Sequence, residues 1–224
     1  MRYVSFTFDD GSITCAKKIH QLLHPYHATF YVVTGWLSPT TIKITDRFNI
    51  DVDHGTLDQW KEVSELGHDV GSHTHTHMKA NDIEIEKDCI QSLEVIKQIH
   101  EAPYNISSPH FTDLKVKMFD SIRLGTYETM HKSFVFEKYF NKLNNIDFLS
   151  LYCCDLYPDK VLQILEKMPH NSWLILAYHS LDGEGFCPVE SNQITILKNA
   201  LRKEKIDIVC VSEMQKKMEC SICN

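Results

Sequence analysis

The chain has 224 residues, of which 43% are hydrophobic and 24% are charged, and its formal net charge is −7. This balance excludes a disordered chain, and no apolar run reaches the roughly 20 residues that a membrane-spanning helix requires. The absence of a basic stripe argues against nucleic acid as the main partner. The length suits one α/β domain, so we expect residues 1–224 to form a single domain.

The first residues, MRYVSFTFDD, contain too short an apolar stretch for a secretory signal, so we expect a cytoplasmic protein. Eight cysteines are present, including the terminal pair Cys220 and Cys223. In a chain of this length they are expected to be reduced thiols, many of them in the core. A Cys-x-x-Cys pair can be half of a zinc site or a redox couple, but no second pair of similar spacing accompanies it.

The pattern along the chain predicts strands that alternate with helices. Residues 2–8 and 28–33 read as strands on either side of a helix over 13–23, and 34–55 is a long excursion rich in turn residues. The elements predicted after it are a helix over 56–66 with Thr56 as N-cap, a strand over 68–73, a helix over 82–100, a strand over 105–110, a helix over 113–122, a strand over 147–154, a helix over 158–168, a strand over 172–180, a helix over 191–204 and a strand over 206–212. This alternation predicts an α/β fold with a parallel sheet, open or closed into a barrel, and chemistry at the carboxyl ends of its strands.

Two adjacent carboxylates stand at the end of the first predicted strand. In the stretch FTFDDGS, Asp9 and Asp10 follow the strand, and Gly11 allows a turn that lifts their side chains clear of the sheet. Two ionised carboxylates side by side repel each other, so we expect a nearby cation or a shared proton. Taken alone, the motif is equally compatible with an ordinary polar turn.

The stretch GSHTHTH, which follows the third predicted strand, carries three histidines in five positions. If the chain turns as in a helix, His73 and His77 lie one turn apart and can hold one metal ion, while His75 points elsewhere. If the segment is extended, all three share a face and a three-histidine site is the competing interpretation. Both alternatives indicate metal binding.

A further histidine ends a strongly apolar strand late in the chain. The stretch WLILAYHSLDG delivers His179 at the end of that strand. A histidine there can titrate near neutral pH, as a general acid or base must. The alternative is an ordinary polar residue that ends a strand.

Together the three stretches resemble the motifs of the NodB-homology polysaccharide deacetylases, carbohydrate esterase family 4. The family's T-F-D-D-G motif matches residues 7–11, its H-[ST]-x-x-H motif matches 73–77, and its apolar strand with a histidine matches 174–179. Their order and spacing cover residues 4–212. The resemblance implies a distorted β/α barrel of about seven parallel strands.

The resemblance also implies a divalent metal held by Asp10, His73 and His77. It implies Asp9 as the general base and His179 as the general acid of a hydrolysis. Zinc is the expected ion, and cobalt, nickel, manganese and iron also suit a set of imidazole and carboxylate ligands.

Other family features are matched only in part. Thr74 is expected to brace the metal loop by hydrogen bonding. In the family, an arginine followed by Pro-Pro-aromatic-Gly orients the base. The nearest counterpart here is the stretch Ser-Ser-Pro-His-Phe, which lacks the arginine and the glycine. Within it, Pro109 matches the motif, and His110 is a candidate for contact with the substrate. Arg123 is the residue that can approach from a neighbouring strand instead. Asp155 matches the aspartate of a motif that tunes the catalytic histidine, although the tryptophan of that motif is missing.

These observations lead us to expect a metal-dependent hydrolase that removes an N-acetyl or other acyl group from an amino sugar or glycan precursor. The expected partner is an acylated amino sugar or oligosaccharide, with no nucleic acid and no membrane span. Two alternatives remain open: an amidohydrolase that acts on a non-sugar amide with the same site, and a non-catalytic homologue that retains the metal. Phosphatases with an aspartyl nucleophile are disfavoured, since their two carboxylates are separated by one residue.

Overall fold

The computed structural model of the protein describes residues 1–37, 43–45, 51–77, 84–100, 104–109, 118–126 and 139–222. The strands in this part of the chain are β1 (Arg2–Phe8), β2 (Thr29–Val32), β3 (Lys43–Thr45), β4 (Asp51–Asp53), β5 (Asp69–Ser72), β6 (Ile106–Ser107), β7 (Ser121–Thr126), β8 (Phe140–Lys142), β9 (Leu151–Cys153), β10 (Ser172–Tyr178) and β11 (Asp207–Ile208). The helices are α1 (Ile13–Leu23), α2 (Leu57–Glu65), α3 (Ile85–Ile99), α4 (Pro158–Leu165), α5 (Ser191–Lys203) and α6 (Val211–Ile222). Among these helices, none combines the length and the apolar character needed to cross a bilayer.

The main sheet curls into a nearly closed barrel. Within the described residues, seven parallel strands hydrogen-bond in the order β10, β1, β2, β5, β6, β7 and β9. Cys154, which follows β9, bridges in parallel to Leu176 of β10 and so brings the two ends of the sheet together. Outside this ring, β8 pairs antiparallel with β10, and β11 pairs with the start of β1. The predicted distorted β/α barrel is confirmed.

The central strands β1 and β10 are buried on both faces, as strands of a parallel sheet covered by helices must be. Side chains alternate between the two faces. On β1, Val4, Phe6 and Phe8 pack outward in the core beneath the helices. Tyr3 points into the barrel, where it joins Trp173 of β10. Because the positions of Tyr3 and Asp9 differ by an even number, the same alternation directs the side chain of Asp9 into the barrel.

The predicted helix over 56–66 is confirmed with its N-terminal signal. Thr56 caps α2 in a reciprocal capping box with Gln59, and Gly67, whose φ is +92°, follows the helix. The predicted helix over 13–23 is α1 itself. Within the predicted excursion over 34–55, β3 and β4 pair antiparallel, and the remaining parts of that excursion are described only at 34–37 and 54–55.

The predicted helix over 113–122 is wrong at its end, because residues 121–126 form β7. Residues 110–117 lie outside the described residues. Ile122 and Leu124 pack outward in a small apolar cluster, so the strand does alternate. Arg123 lies at the inward position between them, and two apolar residues form too short a pattern to predict a strand from hydrophobicity alone.

The predicted strand over 206–212 is wrong beyond Ile208, because α6 begins at Val211. The start of α6 is held by β2 and β5: Val211 N donates to Thr29 Oγ1 at 3.0 Å, and Ser212 N donates to Asp69 Oδ2 at 2.8 Å. These partners lie far away in sequence, so local propensity does not reveal them. Strand β8 was likewise not predicted.

Replacing Thr56 by Ala should lower the free energy of unfolding by about 1 kcal/mol, because α2 loses its cap. In the native protein Gln59 N donates to Thr56 Oγ1 at 3.3 Å, and Thr56 N donates to Gln59 Oε1 at 2.8 Å. Urea denaturation followed by circular dichroism measures the change. Thr56→Ser keeps the hydroxyl and is the matched control; equal losses in both variants would show that the cap is not the cause.

Candidate active site

The register of the barrel strands places Asp9 beside His179. In the pairing of β1 with β10, Phe8 lies opposite Tyr178, so the residues that follow them emerge side by side at the carboxyl end of the barrel. The backbone N–H of Asp9 donates to the carbonyl of Tyr178 at 2.8 Å. Two residues from opposite ends of the chain therefore share one edge of the site.

The same edge receives the histidine loop, residues 73–77, from β5. Ser72 lies opposite Ser107 of β6, which places His73 beside Ser108. On the other side, the backbone N–H of His73 donates to the carbonyl of Val32 at 2.9 Å. The loop therefore rises between the carboxyl ends of β2 and β6.

Asp10, His73 and His77 converge on one point. They are all buried, and each offers one ligand atom such that these atoms lie within 4.8 Å of one another. Asp10 Oδ1 is 3.5 Å from His73 Nε2 and 3.4 Å from His77 Nε2. His75 points away from this cluster, with Nδ1 3.0 Å from Thr34 Oγ1. Of the two sequence alternatives, the structure thus brings together the pair His73 and His77 and not three histidines.

The hydrogen bond made by His73 fixes which nitrogen faces the cluster. His73 Nδ1 contacts the backbone carbonyl of Ser108. Since a carbonyl can only accept, Nδ1 carries the hydrogen and Nε2 directs its lone pair toward Asp10. Proteins present histidines to metals in this way. Two imidazoles and one carboxylate suit a divalent ion with open coordination positions, so the donor set fits the predicted metal.

The backbone of these segments adopts the left-handed conformation at several residues that are not glycine. The φ values are 68° at Asp10, 68° at Thr74 and 59° at His77. Such residues are uncommon, cost about 1 kcal/mol or more each, and concentrate at functional sites. Gly11 follows with a φ of 77°, and a Cβ there would lie 3.0 Å from Val32 Cγ1. The turn after β1 therefore requires glycine at this position.

A buried arginine holds Asp9. Arg123 Nη2 donates to Asp9 Oδ2 and to Ser108 Oγ, and Nη1 donates to Cys153 Sγ at 2.9 Å. The guanidinium also lies over the ring of Tyr31, with 5.2 Å from Cζ to the centroid. Burial by itself lowers the pKa of Arg123, but the Asp9 carboxylate raises this pKa above its ordinary value. The guanidinium of Arg123 therefore stays charged.

Only one oxygen of Asp9 is engaged by this pair. Asp9 Oδ1 is buried, and it accepts no hydrogen bond from any residue that the structure describes. Asp9 thus keeps one lone-pair acceptor while Arg123 holds the other oxygen. That arrangement suits a general base, which must be oriented and must also receive a proton.

His179 is half-buried at the end of β10, and its ring packs edge-on against Phe186 with centroids 5.0 Å apart. Burial lowers the pKa of His179 below its ordinary value of 6.5, while the Asp9 carboxylate opposes this shift. Arg123 lowers the pKa further and Asp155 raises it. A lower pKa makes the imidazolium a stronger acid toward a leaving group.

Three of the remaining predicted residues lie around this centre. Thr74 braces the loop through its backbone: its N–H donates to Ser72 Oγ at 3.2 Å, and its carbonyl accepts from Thr34 N at 3.2 Å. Pro109 is buried at the end of β6, and His110 lies outside the described residues. Asp155 is exposed and follows β9, and its charge raises the pKa of His179.

Of the terminal cysteine pair, the described member lies on α6, apart from the elements that carry the site. Cys220 is exposed on α6, and Cys223 lies outside the described residues. Most cysteines in the described part of the chain are buried, in agreement with the expectation that many of them lie in the core.

Sequence reasoning missed several neighbours of the site. His54, which follows β4, directs Nδ1 to the carbonyl of Asp10 at 3.1 Å and packs against Trp36 with ring centroids 4.9 Å apart. Tyr31 and Cys153 line the barrel around the arginine. The one available signal for Tyr31 and Cys153 is that alternation along β2 and β9 places them inside the barrel. No local pattern marks His54.

Comparison with known proteins gives a family match and several similar structures. Residues 1–122 match the family model described as polysaccharide deacetylase. No curated protein matches the chain in sequence. A carbohydrate esterase family 4 pseudoenzyme from Bacillus anthracis is 16% identical with a TM-score of 0.57, and the match covers 95% of this chain and 64% of that one.

Two further structures are similar over most of both chains. A family 4 acetyl xylan esterase from Clostridium thermocellum, determined in complex with a cobalt ion, is 15% identical with a TM-score of 0.57, covering 95% of this chain and 89% of that one. A mutant of a peptidoglycan deacetylase from Bacillus subtilis is 12% identical with a TM-score of 0.59, covering 98% and 92%. At this level of identity the likeness shows the fold alone.

Replacing Arg123 by Met should lower the free energy of unfolding of the metal-free protein by about 3 to 5 kcal/mol, because Asp9 is left buried without its cation. Arg2→Met is the matched control, because Arg2 forms a surface ion pair with Glu204 at 4.0 Å. This substitution should lower the free energy of unfolding by about 1 kcal/mol or less. Adding Asp9→Asn to Arg123→Met should recover part of the loss. A double variant no more stable than Arg123→Met would contradict the ion pair.

Proposed function

Because the chain belongs to the polysaccharide deacetylase family, we propose that it is a metal-dependent hydrolase that removes an N-acetyl or other acyl group from an amino sugar or glycan. One observation carries the proposal: Asp9 offers a single open carboxylate oxygen next to the converging donors of Asp10, His73 and His77. His179 emerges from the adjacent strand. A base, a cation site and an acid therefore meet at one barrel mouth.

In this proposal Asp10, His73 and His77 hold the ion, and zinc is the first candidate ahead of cobalt, nickel, manganese and iron. A bound divalent ion supplies Lewis acidity, which lowers the pKa of water and polarises the acyl carbonyl. The similar acetyl xylan esterase from Clostridium thermocellum was determined with a cobalt ion, which supports a metal in this protein too.

Asp9 acts as the general base. Its Oδ1 takes the proton from the attacking water, while Arg123 holds Oδ2. The arginine therefore orients Asp9 and leaves Oδ1 open toward the attacking water.

His179 acts as the general acid. As the new C–O bond forms and the C–N bond breaks, the leaving nitrogen needs a proton, and the imidazolium of His179 supplies it. The burial that lowers the pKa of His179 favours this transfer. The proton that Asp9 has accepted then returns to solvent, and His179 takes up a proton from solvent, so both residues are restored for the next turnover.

The non-catalytic alternative draws on the arginine missing from the Ser-Ser-Pro-His-Phe stretch and on the Bacillus anthracis neighbour, which is a pseudoenzyme. The missing motif arginine is a weaker reason than it first appears, because Arg123 of β7 donates to the Asp9 carboxylate instead. Hydrolysis of a non-sugar amide stays a second candidate, favoured by the absence of the groove tryptophan near Asp155. The cytoplasmic location stays a prediction from the sequence.

The proposal is tested by acetate release. Protein stripped with a chelator and reloaded with zinc, cobalt, nickel, manganese or iron should release acetate from at least one acetylated amino sugar, chitooligosaccharide or nucleotide sugar. Asp9→Asn should lower the rate about 100-fold or more while retaining the metal. Release from cyclic amides or ureides alone would favour the second candidate. No hydrolysis of any of these substrates with any metal would contradict the proposed function.

Replacing His179 by Asn should separate substrates by their leaving groups. Amide hydrolysis should fall about 100- to 10,000-fold, because the leaving amine must be protonated. Hydrolysis of an aryl acetate should fall far less, because a phenolate leaves without a proton. Steady-state kcat/KM on both substrates measures the difference; equal losses would assign His179 a role other than general acid.

A further inference from the structure

A buried carboxylate on α3 holds the histidine loop from behind. Asp88 is 6% exposed and lies in the first turns of α3. It accepts from His75 N at 2.7 Å, from Thr76 N at 3.1 Å and from Thr76 Oγ1 at 2.8 Å. All three donors belong to the loop, and together they occupy both oxygens of the carboxylate.

The neighbouring turn of α3 continues this contact. Gln91 and Ser92 lie three and four residues after Asp88, so they share its face of the helix. Ser92 Oγ accepts from Ser72 Oγ at 2.8 Å, at the end of β5. Gln91 Nε2 lies 2.9 Å from Nε2 of His75. One polar face of α3 therefore contacts the histidine loop and β5, the strand that precedes the loop.

This attachment fixes the residues next to a proposed metal ligand. Thr74 and His77 have φ values of 68° and 59°, a conformation that side chains rarely adopt without external support. Between them, His75 and Thr76 are the residues that Asp88 binds. Asp88 is not one of the converging ligand residues, so its effect on the cluster passes through the backbone of the loop.

We infer that Asp88 is a positioning residue of the metal centre, which holds the loop so that His77 meets Asp10 and His73. The inference rests on the proposed metal binding by those three residues. It goes beyond the sequence motif, because Asp88 lies outside the H-T-H-T-H stretch and on a separate helix.

The test compares two variants of α3 that lose the same charge. In Asp88→Asn one oxygen becomes an amide nitrogen, which cannot accept from the loop. Glu86→Gln is the matched control, since Glu86 stands exposed in the first turn of the same helix. The Kd for cobalt is measured by competition with a chromophoric chelator on chelator-stripped protein, together with the Tm of the metal-free form.

We expect Asp88→Asn to weaken cobalt binding about 10- to 100-fold, as loss of a group that orients metal ligands does. Glu86→Gln should stay within twofold of the unaltered protein. Cobalt affinity of Asp88→Asn within twofold of the unaltered protein would overturn the inference, as would an equal loss in Glu86→Gln.

A second variant keeps the inference testable if Asp88→Asn fails to fold. Thr76→Val removes one donor to Asp88 at similar side-chain volume and should also weaken cobalt binding; an unchanged Kd would overturn the inference. In a folded double variant, the two losses should be less than additive. If the unaltered protein binds no metal, both this inference and the proposed function are refuted. If it binds cobalt but hydrolyses none of the substrates, the proposed function fails, and the cobalt affinities of the variants still test the role of Asp88.

Discussion

The buried pair of Arg123 and Asp9 is the interaction on which the rest of the site depends. Two adjacent carboxylates at the end of β1 cannot both be buried and ionised unless each has its own cation. Arg123 supplies that cation for Asp9, while Asp10 faces two imidazoles in the geometry of a metal site. Two identical side chains therefore differ in their surroundings: Asp9 is held by a guanidinium, and Asp10 lies between two imidazoles.

The source of the arginine explains how a family motif can be incomplete while an arginine still contacts Asp9. Side chains from different strands of a barrel share one interior, so an oxygen of Asp9 can be reached from β7 as well as from β6. Ser108 of β6 still takes part, because its hydroxyl binds Arg123 and its carbonyl orients His73. Burial of the guanidinium is offset by Asp9, by the Cys153 sulfur and by the ring of Tyr31.

A layer of residues outside the motifs holds the strained turns in place. His54 directs its ring N–H to the carbonyl of Asp10, and Asp88 accepts three hydrogen bonds from the histidine loop. Left-handed residues persist only where surrounding contacts over-determine them. The ligand geometry is thus a property of α3 and of the segment before α2, as much as of the short motifs themselves.

By itself, the sequence determined the elements whose signals are local and the residue types that carry chemistry. The apolar runs of β1 and β10, the periodicity of α1, the cap at Thr56 and the spacing of His73 and His77 all depend on near neighbours. Only the tertiary structure decided that 121–126 is a strand, that α6 starts at Val211, and that Arg123 reaches Asp9 across a separation of 114 residues. These outcomes depend on which strands lie side by side in the barrel, and hydrophobic periodicity carries no information about contacts between residues so far apart.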